Sequence, residues 1–177
     1  MITVAIIGIL ASVGMMTFEG FIRRTREAER STLIGTLSRN LRAYYHSPGS
    51  GEQGLGATSQ SHCRASDPDN FGDWPVMPTP GKKTFIDFAT NQSFRSIGMI
   101  QSGYYYNSVM WFSAAGNEAY DNGGCGLTDL EGIYQIMSAT FTNTGRLEMC
   151  ETYLHARNGE IMSQGGLFCD LSAEFNP

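Results

Sequence analysis

The N-terminal segment constrains this chain most, because Met1 to Phe18 carries no charge and its only polar side chains are three hydroxyls. A helix formed here is apolar on every side and must be covered all round by another apolar medium. At 1.5 Å per residue it is about 27 Å long, slightly short of the roughly 20 residues that cross a bilayer core. No basic region precedes the run and no small-residue cleavage site follows it, which argues against a removable secretory signal. A membrane anchor or a helix buried against other protein remains.

The helix is predicted to continue well beyond this segment. Residues 19–30 are polar and contain no proline, and the next apolar residues recur every three or four positions. That spacing places them on one stripe of a helix that runs to about His46, with Arg39, Asn40 and Arg42 turned outward. The residues expected to pack this stripe against a sheet are Leu33, Ile34, Leu37, Leu41 and Tyr44.

Such a helix is far longer than the average of about 11–12 residues, so its two halves need different surroundings. We expect residues 1–21 to be covered on all sides and residues 22–46 on one side only. The sequence Ser47-Pro-Gly then predicts the helix end.

Residues 47–177 are predicted to form one globular head, with a long surface loop over 47–83 followed by an antiparallel sheet of about four strands. Turn signals at Thr142–Gly145 and Asn158-Gly159 predict two hairpins. The fold class is therefore α+β, a long N-terminal helix packed on an antiparallel sheet with long loops. A short strand is expected at Thr84–Phe88, and the strands of the sheet at Tyr104–Ala114, Ile133–Phe141, Arg146–Ala156 and Glu160–Ser163.

The four cysteines predict disulfide bonds rather than a metal site, because no two of them form a C-x-x-C pair. Their even number behind an apolar N-terminus favours an oxidising compartment. Three pairings are open. We favour Cys150 with Cys169, because the Asn158-Gly159 turn folds the chain back between them, which leaves Cys63 with Cys125.

Composition argues against several other classes of protein. The charged fraction is 16%, the net charge is −5 and the 12 Lys and Arg residues are scattered, so no nucleic-acid surface is indicated. The three histidines lie apart and no catalytic motif is present, so we expect neither an enzyme nor a cofactor. Asp121 and Asp129 are the candidate calcium ligands, although a loop pinned by a disulfide is the preferred interpretation of that segment.

The stretch Val4-Ala-Ile-Ile-Gly-Ile-Leu-Ala11, followed by Phe18, Phe21 and Arg24, resembles the N-terminal helix of type IV pilins and type II secretion pseudopilins. In that family the apolar segment ends with two aromatic residues three positions apart and a basic residue after them. The resemblance covers about 24 of the 177 residues. The order of the remaining elements, with a C-terminal loop closed by a disulfide, is also similar.

The resemblance implies a structural subunit of a type IV pilus, a fimbrial filament that serves adhesion and twitching motility. The implied partners are copies of the chain itself and the assembly machinery of the inner membrane, where the transmembrane helix rests before the subunit enters the extracellular filament. The residues implied to form the filament core are Val4, Ile6, Ile7, Gly8, Ile9, Leu10, Gly14, Met16, Phe18 and Phe21.

Two departures from the family pattern stand out. Aligned on the motif, Met1 falls about six residues inside the usual mature N-terminus, so the family's processing site and charged glutamate are expected upstream of it. Met16 stands where many pilins have a proline. In assembled filaments of that family this region loses helicity. Because each glycine costs about 1 kcal/mol relative to alanine in a helix, Gly8 and Gly14 predict the same local unwinding between Gly8 and Met16 without a proline.

Two alternatives remain open from the sequence. A minor pilin or a type II secretion pseudopilin would use the same helix in a short periplasmic filament. A receptor or enzyme domain held outside the cytoplasm by a single-pass anchor would use it only as a tether.

Overall fold

The computed structural model describes residues 2–46, 74–115, 132–142, 145–157 and 160–171. Its helices and antiparallel sheets confirm the α+β class. Cys63, Cys125, Asp121 and Asp129 lie outside the described residues, as does most of the predicted loop. The elements are α1 (Ile2–His46), β1 (Thr84–Asp87), a 3-10 turn (Phe88–Thr90), α2 (Gln92–Ser96), β2 (Ser102–Tyr105), β3 (Asn107–Ala115), β4 (Gly132–Phe141), β5 (Leu147–Arg157) and β6 (Glu160–Leu171).

The long helix is confirmed as one element of 45 residues. In the single chain the helix is continuous from Gly8 to Met16, and the unwinding expected there in the assembled filament stays a prediction. Met16 keeps the backbone N–H that a proline would lack, and the cost of a glycine, about 1 kcal/mol, does not by itself break a helix.

The strands form two sheets where the sequence predicted one. β1 pairs with β2, and a separate antiparallel sheet has the order β3-β4-β5-β6. The predicted strand Tyr104–Ala114 is wrong as a single element, because the chain leaves one sheet and enters the other at Tyr106. At this point the N–H groups of Tyr106 and Asn107 donate to a carboxylate of α1. Because this acceptor, Glu29, is distant in the sequence, the alternation of side chains from Tyr104 to Ala114 gives no sign that the strand is interrupted.

The hairpin between β4 and β5 is confirmed. Thr142 N donates to Arg146 O over 2.8 Å, and Gly145 takes a φ of 77°, which glycine adopts without strain. The last strand extends eight residues beyond the predicted end at Ser163.

This extension crosses a Gly165-Gly166 pair. The register shifts between Glu151 and Tyr153, and Gly165 takes a φ of 77°. Glycines within a strand commonly mark such a bulge, which lets pairing resume beyond it.

The main core lies between α1 and one face of the four-stranded sheet. The whole predicted stripe of α1 is buried there, with Leu37 and Leu41 fully enclosed. Trp111 packs edge-on against Tyr134, with ring centroids 6.2 Å apart. The segment from β1 to β2 adds one side of this core. Its buried members are Ile86, Phe88, Phe94, Ile97 and Met99.

A smaller cluster covers the opposite face of the sheet. Ala139, Phe141 and Leu147 pack there against Trp74 and Met77, which belong to the predicted surface loop. Side chains alternate along β3, so Met110 lies on the other face of the sheet from Val109 and Trp111 of the main core, and it is buried as well. Both faces of β3 therefore carry buried residues. We call the described residues from 74 to 171 the head.

Candidate assembly surface

The N-terminal half of α1 presents apolar side chains that nothing in the described chain covers. Ile2, Val4, Ile6, Ile7, Phe18 and Phe21 are each 51% to 79% exposed. A methyl group placed on Gly8 or Gly20 would meet no atom within 4 Å. Ile22 is the first residue of the helix described as half-buried, so this apolar surface extends beyond the head.

A carboxylate holds the helix to the head just above this surface. Glu29 Oε1 accepts from Tyr106 N at 2.6 Å, from Asn107 N at 2.9 Å and from Asn107 Nδ2 at 3.0 Å. Asn107 Nδ2 also donates to Arg26 O over 2.9 Å. These bonds fix the helix to the bend between β2 and β3. Burial raises the pKa of the nearby Tyr105, and the Glu29 carboxylate raises it further.

Two cations add to this contact between α1 and the head, which we call the junction. The Arg26 guanidinium lies 4.8 Å from the centre of the Tyr106 ring and donates to Phe141 O over 3.0 Å. Lys83 Nζ lies 5.1 Å from the same ring centre and 4.0 Å from Glu29 Oε2. Cations over an aromatic face are held by its quadrupole, so Tyr106 is clamped between the helix and the segment before β1.

A buried arginine forms the second part of the junction. Arg30 Nη1 donates to Glu148 Oε1 over 3.2 Å, and its side chain is only 5% exposed. The same Nη1 lies 3.7 Å from Cys169 Sγ. The helix therefore reaches β5 through an ion pair and β6 through the neighbouring sulfur.

The predicted disulfide between Cys150 and Cys169 is present and joins β5 to β6. Glu148 lies close to both sulfurs, and three such groups would suggest a metal site. Because both sulfurs are bonded to each other, they offer no thiolate to a metal ion.

Removing this disulfide is expected to destabilise the head by about 2–4 kcal/mol, because it closes a loop of sequence separation 19 and ties down the edge strand. The measurement is urea unfolding of a Cys150→Ala, Cys169→Ala double variant, with hydrogen exchange of the β6 amides. A loss near zero with unchanged exchange of β6 would contradict this role.

The structure describes the surroundings of only some of the residues implied to form the filament core. Val4, Ile6, Ile7, Phe18 and Phe21 line the exposed half of α1. Gly8 shares that surface. For Ile9, Leu10, Gly14 and Met16 the structure describes the helical backbone and not the surroundings of the residues.

The residues of this junction were not among those predicted from the sequence. One signal was available: Arg26 and Arg30 continue the three- and four-residue spacing of the apolar stripe toward the N-terminus. Charged residues on the face that packs against a sheet require buried partners. The identity of those partners, Asn107, Phe141 and Glu148, depends on the tertiary fold.

Among the described residues, no helix has an apolar stretch long enough to cross a bilayer. Comparisons with protein-family models, with curated proteins and with solved structures found no match to this chain.

Proposed function

We propose that this protein is the structural subunit of a type IV pilus-like filament and that copies of it assemble through the N-terminal half of α1. The observation that carries the proposal is the exposure of Ile2, Val4, Ile6, Ile7, Phe18 and Phe21 on a helix that extends beyond its own head. An exposed apolar surface of this kind marks a site of association with protein or membrane.

Energy favours covering this surface. Full burial of one large apolar side chain contributes about 1.5–3 kcal/mol, so a segment without charges from Met1 to Phe18 strongly favours association in water. Copies of the same helix offer a matching apolar surface. The resemblance to the pilin helix at Val4–Ala11, Phe18, Phe21 and Arg24 supports this occupant over an unrelated partner.

The head contributes a rigid connection. Glu29, Arg26 and Arg30 fasten the helix to the sheet through hydrogen bonds and an ion pair. A fixed angle between helix and head allows every copy to repeat the same contacts, which a regular helical polymer requires. The proposed location is the inner membrane before assembly and the cell exterior afterwards.

The test is assembly of the 177-residue chain from detergent. We expect regular filaments of uniform width in negatively stained electron micrographs after detergent is removed, and a pelleted fraction that grows with protein concentration. Abundance in filaments sheared from the cell surface would distinguish a major subunit from a minor one. A chain that stays monomeric without detergent, or that forms only irregular aggregates, would overturn the proposal.

A further inference from the structure

The exposed half of α1 contains one unpartnered charge, and the opposite side of the same helix contains another of opposite sign. We propose that Glu19 of one copy pairs with Arg39 of a second copy, and that this pair sets the axial offset between the two. This inference rests on the proposed function. The face of α1 that carries Leu37 and Leu41 and packs on the head is called the front, and the opposite face is called the back.

Glu19 is the only charged residue in the first 22 positions. It is exposed, and within the described residues it makes no ion pair or hydrogen bond. It precedes Leu37 by eighteen residues, which is five whole turns, so it lies on the front. It lines an open groove of about 460 Å³ at the edge of the head, together with Phe18, Ile22, Arg26, Gly81 and Tyr106.

A carboxylate at this position needs a cation once the apolar half is covered. Burying an unpaired charge costs several kcal/mol, whereas a paired one is tolerated. The partner must come from another copy, because the cation beside Glu19 in the groove, Arg26, already donates to Phe141 O and covers the Tyr106 ring.

Arg39 is the basic residue that fits. It is exposed, and it too makes no ion pair or hydrogen bond within the described part of the chain. Twenty residues separate Glu19 from Arg39, which turns an α-helix through about 200° beyond five turns and places Arg39 on the back. That face is uncovered: Ala28 and Arg39 are exposed, and a methyl group on Gly35 would meet no atom within 4 Å.

These two positions complement each other in parallel copies. When the front of one helix faces the back of the next, Glu19 of the first and Arg39 of the second point toward each other. The pairing requires the second copy to be displaced by twenty residues, or about 30 Å, toward the N-terminus of the first. The head contacts α1 from about Arg26 to Tyr45, a length of about 30 Å at the same rise. The second head then lies below the first without overlapping it.

The other nearby cations fit less well. Arg23 already pairs with Glu27 at 3.0 Å. Arg24 is exposed and on the back, but pairing it with Glu19 would displace the second copy by only about 7.5 Å. At that offset the second helix would run into the first head, which contacts α1 from Arg26 onward.

The experiment is a set of charge reversals in the full chain, assembled by detergent removal and measured by sedimentation across concentrations. Glu19→Arg and Arg39→Glu are each expected to raise the critical concentration for assembly at least tenfold, and the double reversal to restore it to near the value of the unaltered protein. Glu19→Arg combined with Arg24→Glu is the matched control and is expected to stay impaired. Circular dichroism of the solubilised subunits checks that each variant is folded.

A second measurement does not depend on charge. Cysteines introduced as Glu19→Cys and Arg39→Cys in one chain are expected to join neighbouring copies into a disulfide-linked ladder on oxidation of the filament, while Glu19→Cys with Arg24→Cys gives none. Filaments that form normally with every charge reversal, or a ladder only from the Arg24 pair, would overturn this inference and leave the proposed function standing. Failure of the unaltered chain to assemble would instead overturn the proposed function.

Discussion

Replacing Ile7 by lysine is expected to abolish filament assembly while the head stays folded. Ile7 is 65% exposed on the part of α1 that extends beyond the head, so the substitution removes no described contact of the single chain. In the filament the ammonium group would be buried without a partner, at a cost of several kcal/mol per subunit. Since each 1.4 kcal/mol is tenfold, the critical concentration for assembly should rise at least about 100-fold. Sedimentation after detergent removal measures it.

Ile100→Lys is the matched control, because Ile100 is also 65% exposed but lies on the head between α2 and β2. This variant makes the same chemical change at the same exposure, and it should assemble like the unaltered protein. Equal assembly of both variants would show that α1 does not form the contact between copies.

Replacing Glu29 by leucine is expected to lower the free energy of unfolding of the head by roughly 3–5 kcal/mol, because a half-buried carboxylate that accepts three hydrogen bonds is removed from its donors. The N–H groups of Tyr106 and Asn107 would then lack their acceptor. Lys83, which is 4.0 Å from the carboxylate, would lose its ion pair as well. Urea unfolding followed by tryptophan fluorescence measures the change.

Glu27→Leu provides the comparison for that measurement. Glu27 lies two positions away on the same helix and its side chain is 53% exposed, with Arg23 as its partner. Exposed pairs of this type contribute little, so the expected change is within about 0.5 kcal/mol. Similar losses for both variants would mean that Glu29 acts only through the helix and not as the link to the β2–β3 bend.

Much of the secondary structure could be predicted because its causes are local. The spacing of Leu33, Leu37 and Leu41 follows the helical repeat, and the turn residues at Thr142–Gly145 determine a hairpin whose strands are adjacent in the chain. The Cys150–Cys169 pair followed from the same reasoning, since a turn predicted from Asn158-Gly159 brings the next strand back beside β5.

The predicted strand boundaries were wrong where a strand depends on a residue distant in the sequence and not on its neighbours. Tyr106 ends one strand because its N–H donates to Glu29, a residue 77 positions earlier. β6 continues past Gly165 because a bulge opposite Thr152 absorbs the two extra residues and the disulfide lies beyond it. The contact of Tyr106 with Glu29 leaves no pattern in the adjacent sequence, whereas the Gly165-Gly166 pair is a local mark of the bulge.

The sequence by itself determined the uncharged segment from Met1 to Phe18 and the apolar stripe of the second half of α1. Hydrophobicity and helical period are properties of neighbouring residues, so they can be read before folding. Only the tertiary structure decided how far along α1 the head covers the helix. Leu33 is buried, while Phe18 and Phe21 are exposed. It also decided which charges of the helix are satisfied. Arg26, Glu29 and Arg30 find partners up to 139 positions away, whereas Glu19 and Arg39 find none among the described residues.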